Sequence, residues 1–147
     1  GAAPSAMSGS KVYNALQTGV IDAGLTDISA AYSRKYYEVQ DHVTASPLFS
    51  VFFHGYVNPN WFNDLTAEQQ KAVMDAGQTA AAAAVAATEE AAAKAPGQLT
   101  DKGMKVHIHN AEEIAAMKAV MEPAFNKAFE EAAGESGQKL LDMISKM

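Results

Sequence analysis

Cysteine is absent from this chain of 147 residues, which excludes disulfides, thiol nucleophiles and thiolate metal sites. Positive charge is scarce and scattered: 11 Lys and Arg face 17 Asp and Glu, and the net charge of -6 argues against a nucleic-acid partner. Long apolar runs are also missing, because the Ala-rich stretch 76–88 is too short and too weakly apolar to span a membrane. The composition, 48% apolar and 19% charged, is that of a globular protein.

A secretory signal is not found at the start of the chain, where a basic segment followed by an apolar one would be expected. The opening GAAPSAM resembles internal sequence, so we expect any signal peptide to have been removed or to lie outside this chain. The length suits one ordinary domain or a piece of a larger protein.

The first 65 residues predict short helices alternating with strands. Ser8 and Ser10 are candidate N-caps of a first helix, and Gly19 supplies the left-handed residue that ends it. The other predicted elements are a strand at 20–21, a loop at 22–27, a helix at 28–35, strands at 42–45 and 49–57, and a turn at VNPNWFNDL.

A long helix is the clearest signal in the chain. TAEQ fits a capping box in which Thr66 caps and Gln69 reaches back, and strong helix formers continue to Ala95. The run of about 30 residues would be ~45 Å long, and Pro96 with Gly97 is expected to stop it.

The last part of the chain predicts one strand and further helix. MKVHIH is typical of a strand with Met104, Val106 and Ile108 on one face. Asn110 and Glu113 form a second capping box, and the helix that follows is expected to run to about residue 133 with a break near Pro123. The remaining boundaries are glycines at 134 and 137, followed by an amphipathic segment at 139–147.

Thr26 and Asp27 are the strongest candidates for a binding site. They directly follow an apolar strand, where core packing gives no reason for a polar pair, and ligands tend to bind at the carboxyl ends of strands in α/β proteins. The aromatic region around Phe49 is a further candidate, although aromatics at strand spacing are more often core residues. The alternative is that the loop at 22–27 only connects two packed elements and binds no ligand.

Enzyme chemistry has little support in the sequence. His107 and His109 lie two apart on a predicted strand and could share a metal, with Asp101 or Glu112 as further ligands, but the favoured interpretation is a solvent-facing polar row. The chain shows no recognisable nucleophile motif and no Gly-rich phosphate loop, and the paired glutamates on helices are typical of solvated faces.

Five ordered motifs closely resemble the carboxyl-terminal half of the solute-binding proteins of TRAP transporters, the DctP type. They are GAAPSAM, KVYNALQTGVIDA, RKYYEVQDHVT, VNPNWFNDLTAEQQKAVMDAG and LTDKGMKV. The resemblance covers essentially the whole of residues 1–147. It implies an α/β fold of the periplasmic binding protein type II, with parts of two lobes and a long bracing helix.

The resemblance also implies a function. Such proteins are periplasmic, are not enzymes and need no cofactor; they capture a small organic acid and pass it to a membrane permease driven by a sodium gradient. Thr26 matches the family's ligand-binding Asn, Gly9 matches an aromatic that flanks the ligand, and the family's carboxylate-binding arginine would lie upstream of Gly1. The alternative is a truncated, non-binding module that self-associates through the surface left exposed by the missing half.

Overall fold

The computed structural model describes residues 2–48 and 51–144. Its elements follow the order α1 (Gly9–Gln17), α2 (Ile28–Ser33), a 3-10 turn (Tyr36–Glu38), β1 (His42–Ala45), α3 (Pro59–Asn63), α4 (Ala67–Asp101), β2 (Lys105–Ile108) and α5 (Ala111–Ile144). The two strands pair in one sheet. The α/β class is therefore confirmed in a mostly helical form.

Two compact units make up the chain. The first contains Gly1–Ala45 with Phe49–His107, and the second contains Ser46–Leu48 with Ile108–Met147. Within the described residues, no helix is long and apolar enough to cross a bilayer.

The core of the first unit joins α1, α2, the 3-10 turn, the end of α4 and the start of β2. Its buried residues are Leu16, Ala31, Tyr36, Leu99 and Met104. Leu99 is the most completely enclosed of these, with 0% of its surface exposed. Because this core holds the ends of α1 and α2, it also fixes the loop that connects them.

Helix α4 begins where the sequence predicts and ends later. Thr66 Oγ1 accepts a hydrogen bond from Gln69 N at 3.3 Å, and Gln69 Oε1 accepts one from Thr66 N at 2.9 Å, so the capping box is confirmed. The predicted stop at Pro96 is wrong, since the helix continues to Asp101. Burial of Leu99 in the core stabilises the last turns despite the hydrogen bond that proline cannot donate.

Two predicted strands are not formed in the described residues. Val20 and Ile21 donate their backbone N–H groups to the Ala15 carbonyl, at 2.9 and 3.3 Å, so groups that a strand would use close the end of α1 instead. Residues 51–57 have no regular secondary structure. The predicted VNPNWFNDL turn contains the short helix α3, whose N-cap Asn58 accepts from Asn60 N at 2.9 Å.

The second unit is built on α5. Asn110 Oδ1 accepts from Glu113 N at 3.0 Å and Asn110 N donates to Glu113 Oε2 at 2.8 Å, which confirms the second capping box. The predicted helix end near residue 133 is confirmed, because the helix is interrupted at Gly134, with φ 56° and ψ -142°, but the predicted break near Pro123 is wrong, since the helix is continuous there. A glycine tolerates that backbone conformation, which side chains disfavour, so the helix bends there and not at the proline.

Candidate ligand-binding site

Helix α1 carries the candidate Gly9 in its first turn. Ser8 holds the N-cap position, but its side chain makes no capping bond and lies 2.9 Å from the Ser10 hydroxyl. At the other end, Gly19 has φ +70°, which confirms its predicted role in ending the helix. The chain thus leaves α1 through a left-handed turn and enters the loop at 20–27.

The loop packs closely against one side of α1. A Cβ atom placed on Gly24 would lie 3.3 Å from Val12 Cγ1 and 3.9 Å from Leu16 Cδ1, so the backbone approaches the helix at the contact limit. Thr26 follows two residues later and is exposed. The loop therefore presents Thr26 to solvent from a backbone fixed on the core side.

Asp27 has a structural role that explains its place after the apolar stretch. Its Oδ1 atom accepts hydrogen bonds from the N–H groups of Ser29 and Ala30, at 2.8 and 3.2 Å, and from the Ser29 hydroxyl. The Ser29 hydroxyl is the main reason that the pKa of Asp27 lies below its usual 3.8; the two backbone bonds act in the same direction and partial burial opposes them. Asp27 is thus the anionic N-cap of α2.

Arg34 is a candidate that the sequence reasoning did not single out, although it is the single arginine of the chain. It follows α2 directly, and its guanidinium lies over Gly9: a Cβ atom on Gly9 would be 2.5 Å from Nη1, 2.8 Å from Cζ and 2.9 Å from Nη2. Glycine is therefore required for this approach. Two features of the sequence could have indicated it: the chain contains a single arginine, and glycine occupies position 9, where the resembled family has an aromatic.

Lys35, the residue after Arg34, has a strained backbone conformation. Lys35 has φ 57° and ψ 36°, the left-handed region, and is the single non-glycine residue with positive φ among those described. Such a conformation costs about 1 kcal/mol or more and persists where the surroundings determine it. Burial of the next residue, Tyr36, at 4% exposure supplies that constraint.

A polar contact ties α1 to the 3-10 turn. The Tyr13 hydroxyl donates to Glu38 Oε2 at 2.7 Å, and this bond to a carboxylate raises the pKa of Tyr13 above 10.0, with smaller contributions from burial and neighbouring charge. Lys35 Nζ lies 3.9 Å from the other oxygen of Glu38. The Glu38 carboxylate is therefore already engaged by residues of the first unit.

An open cleft of about 450 Å³ lies between α2 and α4. Its lining combines three hydroxyls and one side-chain amide with an ion pair between Lys94 and Glu90; the residues are Ser29, Tyr32, Ser33, Ala87, Glu90, Ala91, Lys94 and Gln98. None of the predicted site residues is among them.

The predicted site residues are only partly brought together. Gly9, Thr26 and Asp27 all lie in the first unit, with Gly9 half-buried and the other two exposed, whereas Phe49 lies outside the described residues. Of the two histidines considered as a metal pair, exposed His107 ends the first unit and half-buried His109 belongs to the second, and their metal-binding role stays a prediction. The ligand-binding roles of the four site residues stay predictions.

Comparison with known proteins identifies the fold family. The family model DctP, described as bacterial extracellular solute-binding protein, family 7, matches residues 1–132. The C4-dicarboxylate-binding periplasmic protein DctP of Rhodobacter capsulatus is 32% identical over 143 residues, covering 92% of this chain and 41% of that protein. The ectoine-binding periplasmic protein TeaA of Halomonas elongata is 29% identical over 152 residues, covering 98% of this chain and 42% of its own length.

Solved structures agree with this assignment. The ectoine-binding protein of the Halomonas elongata TeaABC TRAP transporter superposes with a TM-score of 0.79 at 29% identity, over 97% of this chain and 47% of that one. A TRAP solute-binding protein from Desulfovibrio salexigens with bound orotic acid gives 0.73 at 27% identity, over 92% and 44%. The chain spans less than half the length of these proteins, and it belongs to family 7 of the bacterial extracellular solute-binding proteins, the DctP type of TRAP transporters.

Proposed function

We propose that this chain is part of the periplasmic solute-binding component of a TRAP transporter, which captures a small organic acid for sodium-coupled uptake. The observation that carries the proposal is the family match over residues 1–132. The names of similar proteins add C4-dicarboxylates, ectoine and orotic acid as ligands of those proteins. The component binds and releases its ligand without chemical change and works with the membrane permease.

The ligand would contact the loop that ends at Thr26 and Asp27 and the first turn of α1 at Gly9, with Phe49 as a fourth contact. The support from the first unit is geometric: Gly24 holds the loop on α1, and the Thr26 side chain is exposed beside it. A threonine hydroxyl both donates and accepts, so it suits a polar organic ligand. Asp27 keeps Oδ2 outside its capping bonds, which all go to Oδ1.

Thermal melting with a panel of ligands tests the function. Succinate, orotate and ectoine are added to the complete polypeptide that contains this chain, with uncharged succinamide as the control for succinate. A ligand present at a hundred times its dissociation constant stabilises by about 2.7 kcal/mol, which raises the melting temperature by several degrees. If no small organic acid shifts the transition, the proposed ligand class is wrong.

A self-associating module is a second candidate, supported by the exposed aromatics after β1. Phe52, Phe53 and Tyr56 are 77%, 95% and 86% exposed, and no Asp, Glu, Lys or Arg occurs between Asp41 and Asp64. Uncharged segments of this kind associate in water.

Light scattering across a concentration series distinguishes this candidate. Self-association through the aromatic segment predicts that Phe53→Ser lowers the average mass, whereas Val85→Ser, at a 59% exposed position of α4, leaves it unchanged. A monomer at high protein concentration counts against the module.

A further inference from the structure

We propose that Arg34 is a carboxylate-binding residue of the ligand site, with its guanidinium lying over Gly9 at the start of α1. The inference rests on the proposed capture of a small organic acid and assigns to it a residue outside the four predicted ones. It follows from the contact between the guanidinium and Gly9, from the partners that two carboxylates of the same unit already have, and from the contacts that Arg34 and Gly24 make along α1.

The contact between Arg34 and Gly9 requires the absence of a side chain. With Nη1, Cζ and Nη2 all between 2.5 and 2.9 Å from the Cβ position, any residue other than glycine would displace the guanidinium. The backbone adds a second constraint, because the left-handed Lys35 reverses the chain between Arg34 and buried Tyr36. Gly9 therefore leaves room for the guanidinium, and the turn at Lys35 fixes where the Arg34 side chain begins.

The N–H groups of the Arg34 guanidinium have no acceptor among the described residues. Across residues 2–48 and 51–144, no hydrogen bond or ion pair engages the Arg34 side chain, and the residue is exposed. Two carboxylates of the same unit have other partners: Asp27 caps α2 through Oδ1, and Glu38 accepts from Tyr13. An arginine presents five N–H donors in a planar fork that matches a carboxylate, so an organic anion fits what this chain leaves unpaired.

Arg34 and the predicted loop meet the same side of α1. Gly9, Val12 and Leu16 are three and four residues apart and therefore share a helix face. Arg34 lies against the first of them and Gly24 against the other two, which are about 4.5 and 10 Å further along the helix at 1.5 Å per residue. A small acid whose carboxylate is bound by Arg34 would extend along this face towards the loop that carries Thr26.

Lys11 provides the matched control. It is exposed, lies on α1 two residues from Gly9, and has no ion pair or hydrogen bond of its side chain among the described residues. Lys11→Met and Arg34→Met each remove one positive charge from near the start of α1. A difference between the two variants thus reports on position and geometry and not on net charge.

Calorimetric titration of the complete polypeptide with succinate and with orotate tests the inference. For the acid that binds, we expect Arg34→Met to weaken affinity about tenfold to a hundredfold, Arg34→Lys to weaken it less, and Lys11→Met to stay within about twofold. Gly9→Ala should also weaken binding, because its Cβ displaces the guanidinium. Melting of each variant without ligand, within a few degrees of the native protein, verifies folding.

The outcomes separate the inference from the proposed function. Native affinity in Arg34→Met, or equal losses in Arg34→Met and Lys11→Met, overturns the role of Arg34 while the solute-binding function stands. Absence of binding of both acids by the native protein overturns the organic-acid function and the inference with it. Selective loss in Arg34→Met, with partial retention in Arg34→Lys, supports the proposal.

Discussion

Replacing Leu99 with alanine should destabilise the first unit strongly. The side chain is 0% exposed and lies in the cluster with Leu16, Tyr36 and Met104, so the substitution removes three carbon atoms from an enclosed site. Deleting such a leucine costs about 2 to 5 kcal/mol, because transfer free energy is lost and the neighbours refill the cavity only in part. That is a large fraction of the roughly 5 to 15 kcal/mol that stabilises a typical domain.

Urea unfolding followed by circular dichroism at 222 nm measures this loss. A decrease of that size corresponds to a fall in melting temperature on the order of 10 to 40 °C for a unit of this length. The matched control is Val85→Ala on the same helix, where the side chain is 59% exposed; we expect a change within about 0.5 kcal/mol. A loss below about 1 kcal/mol for Leu99→Ala, or equal losses for both variants, would refute the described core.

Further predictions concern local backbone chemistry. Asp27→Ala should cost about 1 kcal/mol at pH 7 by chemical denaturation, with Asp27→Asn close to native because asparagine also caps. Since the folded pKa of Asp27 is below 3.8, its contribution is present above pH 3.8 and is lost as the pH falls through the folded pKa, so native protein and Asp27→Ala should converge in acid. Thr66→Ala should cost about 1 kcal/mol through loss of the capping box, measured by the same unfolding assay. Gly77→Ala, in regular helix with nothing within 4 Å, should stabilise by about 0.5 to 1 kcal/mol, whereas Gly134→Ala, at φ +56°, should destabilise by about 1 to 3 kcal/mol; melting curves that shift in the same direction would contradict this pair.

Helix starts were predictable because their chemistry is local. Thr66 with Gln69 and Asn110 with Glu113 form reciprocal bonds within four residues, so the pattern contains all the partners. The left-handed Gly19 was predictable for the same reason. None of these features depends on what the rest of the chain does.

Elements that depend on distant contacts were predicted less well. Residues 51–57 have the β-branched and aromatic composition of a strand, but a strand needs a neighbour, and β1 with β2 is the pair among the described residues. The end of α4 was misplaced because Pro96 is a local stop signal, while burial of Leu99 is a tertiary effect. Tertiary packing overrides the local helix or strand propensity where the two disagree.

In the candidate site, too, local features were predictable from the sequence and distant contacts were not. Thr26 and Asp27 were singled out from their place after an apolar stretch and their ligand-binding roles stay predictions, whereas the capping bonds that engage Asp27 were not foreseen. Arg34 could not be connected with Gly9 from the pattern, because 25 residues separate them and the contact depends on the reversal at Lys35.

The length of α4 has a consequence for its motions. The helix has 35 residues, about 52 Å at 1.5 Å per residue, yet its buried residues, Ala95 and Leu99, both lie near its carboxyl end. Amide hydrogens near Leu99 should therefore exchange with solvent only when the core opens, whereas those around residues 74–91, which are all exposed, can exchange through local fraying. Exchange measured along α4 should therefore fall into two classes, slow near Leu99 and fast around residues 74–91.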